Sequence, residues 1–249
     1  MSKQKKVKQL NPSLSVDCAI FGFDGSELKL LLIERSVESC TKKLLTLPGD
    51  LIFDGEDLDT AASRVLKELT GLKNIFMKQV RAFGDPKRLK KREDQAWLRS
   101  IRAKPEERVV TIAYYSLVNM NDYTPKPSSF AQSARWVNLD KSTDLAFDHQ
   151  EIAFAAFDQL KINLKNHPIG FNLLPVKFTF SDLQKLYEVI LGRTLDKRNF
   201  RRKMLKLKLV EPLNEKEEEG VPHKRSQLFQ FNTSNYVLLL ENGFDNFGF

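Results

Sequence analysis

The sequence predicts an α+β protein of two domains, the first mixing strands with helices and the second joining two short helices to a β-hairpin. Two observations predict this class. Strand-like segments and segments with helical apolar spacing alternate up to about residue 165. Pro168, Gly170 and Pro175 then interrupt the pattern, which indicates a junction between domains. We place the domains at 13–165 and 172–235, with tails at 1–12 and 236–249.

The composition is that of a globular protein, with 41% hydrophobic and 29% charged residues in a chain of 249. No run of about eighteen apolar residues is present, so we expect no membrane contact. The Lys-rich start lacks the apolar stretch of a signal peptide. Cys18 and Cys40 fit neither a disulfide framework nor a zinc site. We therefore expect a cytoplasmic protein without a metal or other cofactor.

In the first domain, residues 16–23 and 29–34 have strand composition and flank a turn at Gly25, so they predict a β-hairpin. Further strands are expected at 76–83, 109–118 and 134–139, and a further helix at 151–164. Residues 87–107 are rich in charge around Trp97, which indicates a surface insertion that is partly helical.

Residues 57–69 are predicted to form an amphipathic helix. Apolar or small side chains recur there at intervals of three and four residues, at Leu58, Ala61, Ala62, Val65, Leu66 and Leu69. Gly71 follows as a stop signal, because glycine tolerates the left-handed conformation that ends many helices.

The second domain begins with a helix that Gly192 interrupts. Ser181 followed by Gln184 is expected to form its capping box. Asp196 has the type of side chain that caps a helix N-terminus, so the next helix is expected to start there. The first helix has one apolar face, made by Leu183, Leu186, Tyr187 and Ile190. Two strands are expected around 209–212 and 227–231.

The helix after Asp196 gives the strongest indication of function. Phe200, Met204 and Leu207 stand four and three residues apart, which predicts one buried stripe. Seven basic residues share the helix: Lys197, Arg198, Arg201, Arg202, Lys203, Lys206 and Lys208. No acid accompanies them, although a helix that is only solvated normally mixes both signs of charge. The pattern therefore favours a nucleic acid partner over a merely soluble surface.

A helix that is buried on one face and cationic on the other suits the major groove of double-stranded DNA. We expect Arg198, Asn199 and Arg202 to contact base edges, because arginine pairs with guanine and asparagine with adenine. Phosphate contacts are expected from Arg201, Lys203, Lys206 and Lys224, with Lys197 in the same basic set. His223, Lys224 and Arg225 lie in the loop between the two strands, in reach of the backbone or minor groove. This order of elements is that of a winged helix-turn-helix.

Residues 47–72 read LPGDLIFDGEDLDTAASRVLKELTGL. The segment resembles the Nudix box, a loop and helix that bind Mg²⁺ or Mn²⁺ for diphosphate hydrolysis. Three charged positions of the pattern match, at Glu56, Arg64 and Glu68, and the segment is aligned on Gly71. Val65 and Leu69 replace two of its three helix glutamates, and a divalent cation needs several carboxylate oxygens. The resemblance implies a Nudix-like fold, an α/β/α sandwich with a mixed sheet. Because the box has lost these glutamates, we expect that the protein is not an enzyme.

Together the two halves resemble the Nudix-related transcriptional regulators of bacteria. The resemblance rests on SVDCAIFGF, LLLIER, RVLKELTGL, AFGDP, RVVTIAYYSLV, DHQEI, PIGFNLLPVKFTFSDLQKLYE and LDKRNFRRKMLKL. It implies a homodimer that binds a palindromic operator and responds to a small-molecule effector. One branch of the family represses NAD-metabolism genes and responds to ADP-ribose; another controls pentose use and responds to L-arabinose. Candidate effector-binding residues are Glu56, Arg64, Glu68 and Arg108.

Several alternatives stay open. The lost glutamates agree with the pentose-responsive branch, but Asp50 replaces the opening glycine of the box and 87–107 is longer than in the resembling proteins. Because of these two departures, the sequence does not decide which effector the protein binds. A divergent Nudix hydrolase acting on ADP-ribose or a related diphosphate is the second hypothesis. An RNA-binding or scaffold protein is the third, although the outer face of the basic helix has no aromatic side chain for stacking on RNA bases.

Overall fold

The computed structural model describes residues 9–37, 40–126, 131–139, 144–167, 169–217 and 225–242. The chain divides into two compact units. We call them the sheet unit, which runs to residue 157 without 23–28, and the helical unit, which runs from residue 158 and includes 23–28. Within the described ranges, no helix is long and apolar enough to cross a membrane.

The sheet unit is built on one mixed layer of strands. They are β1 (Leu10–Phe23), β2 (Leu28–Val37), β3 (Cys40–Thr46), β4 (Gly49–Phe53), β5 (Lys78–Phe83), β6 (Val110–Asn119) and β7 (Ser133–Asn138). The helices are α1 (Leu58–Thr70), α2 (Arg92–Ile101) and the first half of α3 (His149–Asn166). The order in the sheet is β3-β2-β1-β6-β5, while β4 pairs with β1 and β7 pairs with β2.

The alternation of side chains along β1 explains why helices lie on both faces of the sheet. Val16, Cys18 and Ile20 point to one face and pack with the buried side of α1. Phe21 points to the other face, where its ring lies 5.7 Å from the ring of Phe157 in α3. The unit is therefore the α/β/α sandwich that the sequence predicts.

The predicted helix at 57–69 is confirmed as α1. Asp57 is its N-cap and accepts a hydrogen bond from the backbone N–H of Thr60 at 2.9 Å. Gly71 ends the helix in the left-handed conformation, with φ of 76°. The predicted apolar face is buried at Ala61, Ala62, Val65, Leu66 and Leu69.

Residues 87–107 differ from the expected surface insertion, because they contribute to the core through α2. Trp97 and Leu98 are only 4% and 1% exposed. They pack with Leu89 and Phe147 in a second apolar cluster. The rings of Trp97 and Phe147 lie 6.0 Å apart. Most residues of this stretch are charged, so the few apolar residues on the buried side of α2 are difficult to recognise in the sequence.

The helical unit has the element order predicted for a winged helix. Its strands are β8 (Phe178–Thr179), β9 (Val210–Lys216) and β10 (Gln227–Phe231), in the order β8-β10-β9. Its helices are α4 (Phe180–Leu191), α5 (Lys197–Lys206) and α6 (Thr233–Asn242), with the second half of α3. Phe180 lies at the centre of its core, with ring distances of 6.1 Å to Phe200 and 5.0 Å to Phe229.

The break between α4 and α5 follows the local sequence. Gly192 ends α4 with φ of 67°, as predicted. Asp196 caps α5 by accepting a hydrogen bond from the backbone N–H of Asn199 at 2.7 Å, also as predicted.

The predicted capping box of α4 at Ser181 and Gln184 is wrong. The box is formed two residues earlier, by Thr179 and Asp182. Asp182 N–H donates to the Thr179 hydroxyl at 3.2 Å, and Thr179 N–H donates to the Asp182 carboxylate at 2.9 Å. Thr179 ends the short strand β8, so pairing with β10 fixes where the helix begins.

Both predicted tails overlap elements of the fold. At the N-terminus β1 begins at Leu10, while residues 1–8 lie outside the described residues. At the C-terminus the predicted tail starts inside α6, where the ring of Tyr236 lies 5.4 Å from that of Phe231. Phe231 belongs to β10, and the spacing of apolar residues within α6 does not reveal that the helix packs against that strand. Residues after 242 again lie outside the described part of the chain.

Candidate functional site

The helix α5 presents its basic side to solvent. Its exposed residues are Lys197, Arg198, Asn199, Arg201, Arg202 and Lys206, with one apolar residue, Leu205, 38% exposed among them. Phe200 and Met204 are buried on the opposite side, 2% and 0% exposed, and Leu207 is half-buried just beyond the helix. Lys203 is half-buried, and burial lowers the pKa of its ammonium group. The helix therefore has the one-sided arrangement that its sequence predicts.

Two arginines of α5 are held by neighbouring groups. Arg202 donates a hydrogen bond to the side-chain oxygen of Asn199. The guanidinium of Arg201 lies 4.7 Å from the ring of Phe180 and 5.2 Å from that of Phe229 in β10. Such cation–π contacts stabilise an arginine over an aromatic face. They link the exposed side of α5 to the hairpin.

Of the three residues predicted in the wing, the structure describes one, Arg225. Arg225 is exposed, and its Nε donates to the backbone oxygen of Glu217. The backbone N–H of Ser226 donates to the Glu217 carboxylate at 2.7 Å. These bonds join the two sides of the loop at its base. His223 and Lys224 lie outside the described residues.

In the sheet unit, Arg64 ties the loop before α1 to the helix. Its Nε and Nη2 donate to the two carboxylate oxygens of Glu56 at 2.7 and 2.8 Å, and its Nη1 donates to Glu68 at 3.1 Å. Nη2 also donates to the backbone oxygen of Leu51 at 3.0 Å. Glu56 accepts a further bond from Phe53 N–H at 3.0 Å. Three of the four predicted effector residues thus come together as an internal brace.

The side chains of α1 do not fit a divalent cation. Val65 and Leu69, which replace two glutamates of the box, are 0% and 1% exposed and belong to the apolar cluster under the helix. Glu68 is exposed and paired with Arg64. Over the described ranges, no three His, Cys, Asp or Glu side chains form a group that could hold a metal ion. Hard cations need several oxygen ligands, and this helix face is hydrocarbon.

The fourth predicted effector residue, Arg108, lies apart from the other three. Its Nη2 donates to the backbone oxygen of Gly84 at 2.8 Å. It lines a surface cavity of about 450 Å³ together with Asp85 and residues of the 87–107 stretch, among them Lys90 and Glu106. The structure therefore does not bring Arg108 to the brace around Arg64.

Sequence reasoning missed a buried charged network on the face of β1 opposite α1. The carboxylate of Asp17 lies 3.3 Å from both Arg88 Nη2 and His149 Nε2. Arg88 also donates two hydrogen bonds of 2.8 Å to Asp148. His149 Nδ1 accepts a bond from Leu47 N–H at 2.9 Å, so the ring proton is on Nε2, facing Asp17. Burial would raise the pKa of Asp17, but its contacts with His149 and Arg88 hold it well below its usual range.

One signal in the sequence marks this network. Asp17 is the only charged residue in the apolar run 16–23, and a charge within a buried strand needs a partner. Its partners Arg88 and His149 come from distant segments outside the strands, where periodicity carries no information.

The network borders a partly open cavity of about 40 Å³ beside α2. The guanidinium of Arg35 lies 4.2 Å over the ring of Trp97 and donates to the backbone oxygen of Gly49 at 2.8 Å. Arg102, which follows α2, and Asp50, in β4, add polar groups to the lining. None of these residues was among the sequence-predicted site residues.

Gly49 lets β4 approach β1 at this cavity. It pairs with Asp17, and a β-carbon built on Gly49 would lie 1.8 Å from Asp17 Oδ1. The carboxylate of Asp17 thus occupies the space that a side chain at 49 would take.

Two family models match the chain, one in each half. The model of the NUDIX domain matches residues 11–157, and that of the NrtR DNA-binding winged helix domain matches residues 170–231. A relative from Acinetobacter baylyi, the ADPR responsive transcriptional repressor NtrR, is 32% identical over 241 residues, which cover 95% of this chain and 88% of that protein.

Solved structures share the fold. The crystal structure of Shewanella oneidensis NrtR complexed with a 27mer DNA has a TM-score of 0.65 at 23% identity, covering 90% of this chain and 95% of that one. A MutT/nudix family protein from Enterococcus faecalis has a TM-score of 0.65 at 22% identity, covering 92% of this chain and 90% of that one. At this identity the likeness shows the fold alone.

Proposed function

Because this chain belongs to the NrtR family of transcriptional regulators, in which a NUDIX domain precedes a winged helix, we propose that it represses transcription by binding double-stranded DNA through α5. The observation that carries the proposal is the one-sided surface of α5. Its basic residues face solvent, while Phe200 and Met204 anchor the opposite side in the core. A cationic helix face of this kind fits the major groove.

The base-reading residues in this proposal are Arg198, Asn199 and Arg202, which are all exposed on α5. Arginine and asparagine each form paired hydrogen bonds with one base edge. Phosphate contacts fall to Lys197, Arg201, Lys203 and Lys206 on the helix and to His223, Lys224 and Arg225 in the wing. Arg201 is suited to this role because its stacking on Phe180 fixes its position without using its N–H donors on another side chain.

We propose that two copies of the chain bind a palindromic operator. Winged helices that work in pairs read half-sites spaced by whole turns of the duplex, and a two-fold axis in the protein matches the two-fold axis of the DNA. Sedimentation of the full chain tests the dimer. A monomer at the concentrations at which it binds the operator would contradict this part of the proposal.

The proposed effector is ADP-ribose, after the name of the Acinetobacter relative. We further propose that the chain does not hydrolyse it, because Val65 and Leu69 are buried where carboxylates would have to hold a cation. L-Arabinose is the alternative effector, favoured by the same loss of carboxylates. A thermal-shift comparison of ADP-ribose, NAD and L-arabinose distinguishes them, because a ligand of the native state raises the melting temperature.

The DNA proposal is tested by fluorescence anisotropy with DNA from upstream of the chain's own gene. Wild-type protein is expected to bind it and to lose affinity steeply between about 50 mM and about 200 mM salt. Arg198→Ala should weaken binding to the specific site by about 1–3 kcal/mol. Lys67→Ala, on the exposed side of α1, is the matched loss of one charge and should bind normally. Absence of wild-type binding at low salt, or equal binding by Arg198→Ala, would reject the proposal.

A further inference from the structure

The lining of the cavity beside α2 is rich in charged side chains. Arg88 is compensated by Asp17 and Asp148, both within hydrogen-bonding distance. Asp17 is in turn compensated by Arg88 and His149. Arg35 and Arg102 are the other cations of the lining, and Asp50 is its other acid.

Arg102 is the residue on which the inference depends. It is half-buried, and its side chain makes no hydrogen bond or ion pair with any residue that the structure describes. Burial lowers the pKa of its guanidinium, and the nearby charge of Arg88 lowers it further, while Asp50 opposes this. A cation that has lost water without gaining a direct anion is destabilised. A guanidinium also carries five N–H donors that need acceptors.

Arg35 is the second guanidinium in the lining of the cavity. Its guanidinium is held between the backbone oxygen of Gly49 and the ring of Trp97. Burial, as the largest cause, lowers its pKa to about 10, even though Asp50 and Asp17 favour the charged form. An anion between Arg35 and Arg102 would therefore stabilise both groups.

Asp50 is the acidic side chain that such an anion would meet. Its carboxylate accepts a hydrogen bond from Leu51 N–H at 2.8 Å and forms no ion pair with Arg102 in the described structure. Burial raises the pKa of this carboxyl group. When ionised, the Asp50 carboxylate repels a bound anion. It therefore lowers the affinity of the cavity for an anion but does not prevent binding. Its removal is then expected to have the opposite effect to removal of Arg102.

The size of the cavity restricts the ligand. A water molecule needs about 10–15 Å³ of such volume, so the 40 Å³ cavity has room for about three waters. One phosphoryl or carboxylate group has this size, whereas pockets for whole small-molecule ligands measure about 300–1,000 Å³. A larger effector would place only its charged group here while α2 keeps its position.

We propose that this cavity binds one phosphoryl-type oxyanion between Arg102 and Arg35, with Trp97 and α2 as its roof. The site deepens the effector role proposed above for the sheet unit and rests on that proposed function. A phosphorylated effector and free phosphate offer the same oxygens to the two guanidinium groups, so the proposal covers either source.

The test is calorimetric titration of the full chain with sodium phosphate in about 0.15 M NaCl, which screens the exposed charges of α5. Arg102→Gln should weaken phosphate binding tenfold or more. Arg99→Gln removes an exposed charge from the same helix and should bind as the wild type does. Asp50→Asn should bind phosphate more tightly. Failure of the wild type to bind phosphate, or equal binding by Arg102→Gln, overturns the proposal.

A thermal melt without phosphate separates ligand binding from a structural role. Because the side chain of Arg102 has no direct partner to lose among the described residues, Arg102→Gln should melt no lower than the wild type in phosphate-free buffer. The wild type should gain melting temperature on addition of phosphate, and the variant should gain much less. A variant that melts well below the wild type without phosphate would show that Arg102 supports the fold, against the proposal.

The source of the oxyanion is resolved by repeating the titration with ADP-ribose and L-arabinose. If Arg102→Gln weakens ADP-ribose as well as phosphate, the effector supplies the group; if it weakens phosphate alone, the free ion is the ligand. Equal weakening of uncharged L-arabinose would contradict an anion site. DNA binding by the same wild-type preparation, measured without phosphate, shows separately whether the proposed regulator function fails.

Discussion

Arg202 donates a hydrogen bond of 2.8 Å to the side-chain oxygen of Asn199, one turn earlier on α5. The two residues are neighbours on the exposed face, and both are proposed to read bases. Holding them in one orientation before DNA binds reduces the conformational entropy that binding must remove.

We therefore predict that the two side chains act as a unit. Asn199→Ala and Arg202→Ala should each weaken binding to the specific operator by about 1–3 kcal/mol. The double variant should lose less than the sum of the two, because each single variant also releases the other side chain. Anisotropy titrations of the four proteins measure this coupling, with random-sequence DNA as the control. Additive losses would show that the hydrogen bond has no role in recognition.

The brace at Arg64 predicts a loss of stability. Glu56, whose side chain is 7% exposed, would keep a buried charge without its arginine in Arg64→Ala. We expect a decrease of about 3–5 kcal/mol in the free energy of unfolding. Arg81→Ala breaks the exposed pair with Glu151 and should cost no more than about 1 kcal/mol. Urea unfolding measures both. If Arg64→Ala kept full stability but lost its effector response, Arg64 would be a ligand contact instead.

The network at Asp17 predicts sensitivity to acid. Its pKa in the folded state lies below the ordinary value of 3.8, so the unfolded chain takes up this proton first as the pH falls. The stabilisation is thus complete above that value and decreases as the pH falls below it. Asp17→Asn should be less stable by about 1–3 kcal/mol at neutral pH and should lose less stability on acidification.

Urea unfolding across this acidic range checks the Asp17 prediction. Asp122→Asn, at an exposed carboxyl, should keep the pH dependence of the wild type. Identical acid sensitivity in Asp17→Asn and the wild type would mean that other groups determine it.

The buried face of α1 is expected to reject the two glutamates that the Nudix box has lost. Val65→Glu or Leu69→Glu would place a charge among apolar side chains, and we expect each to lower stability by several kcal/mol, about 4 or more. Lys67→Glu, at an exposed position of the same helix, should be nearly neutral. Urea unfolding and an assay of Mg²⁺-dependent ADP-ribose cleavage measure the outcome. A stable Val65→Glu variant with new hydrolase activity would refute this description of the face.

The elements that the sequence predicts best are those whose signals are local. The spacing of apolar residues defines α1, and Gly71 marks its end. Gly192 and Asp196 mark the break before α5 in the same way. A capping side chain or a left-handed glycine acts within one turn of the chain, so the sequence around it contains the whole cause.

The features that the sequence did not predict depend on partners far along the chain. Trp97 becomes buried because Phe147 lies against it, and the start of α4 shifts to Thr179 because β8 pairs with β10. The charged cavity combines Asp17 and Arg102 from segments with no common pattern. One side of α2 carries Trp97 and Leu98 among its charges, and this was the available signal for a packed helix.

The close approach of Gly49 to Asp17 has a consequence for how this protein can change. Glycine is needed there because a carboxylate on another strand fills the space, and not because of its own backbone angles. A mutational library over β4 should therefore recover only glycine at this position. Alanine at position 49 would become acceptable only after Asp17 has been replaced by a smaller residue. Gly49→Ala is therefore expected to survive if it arises after the substitution at position 17, and to be lost if it arises before.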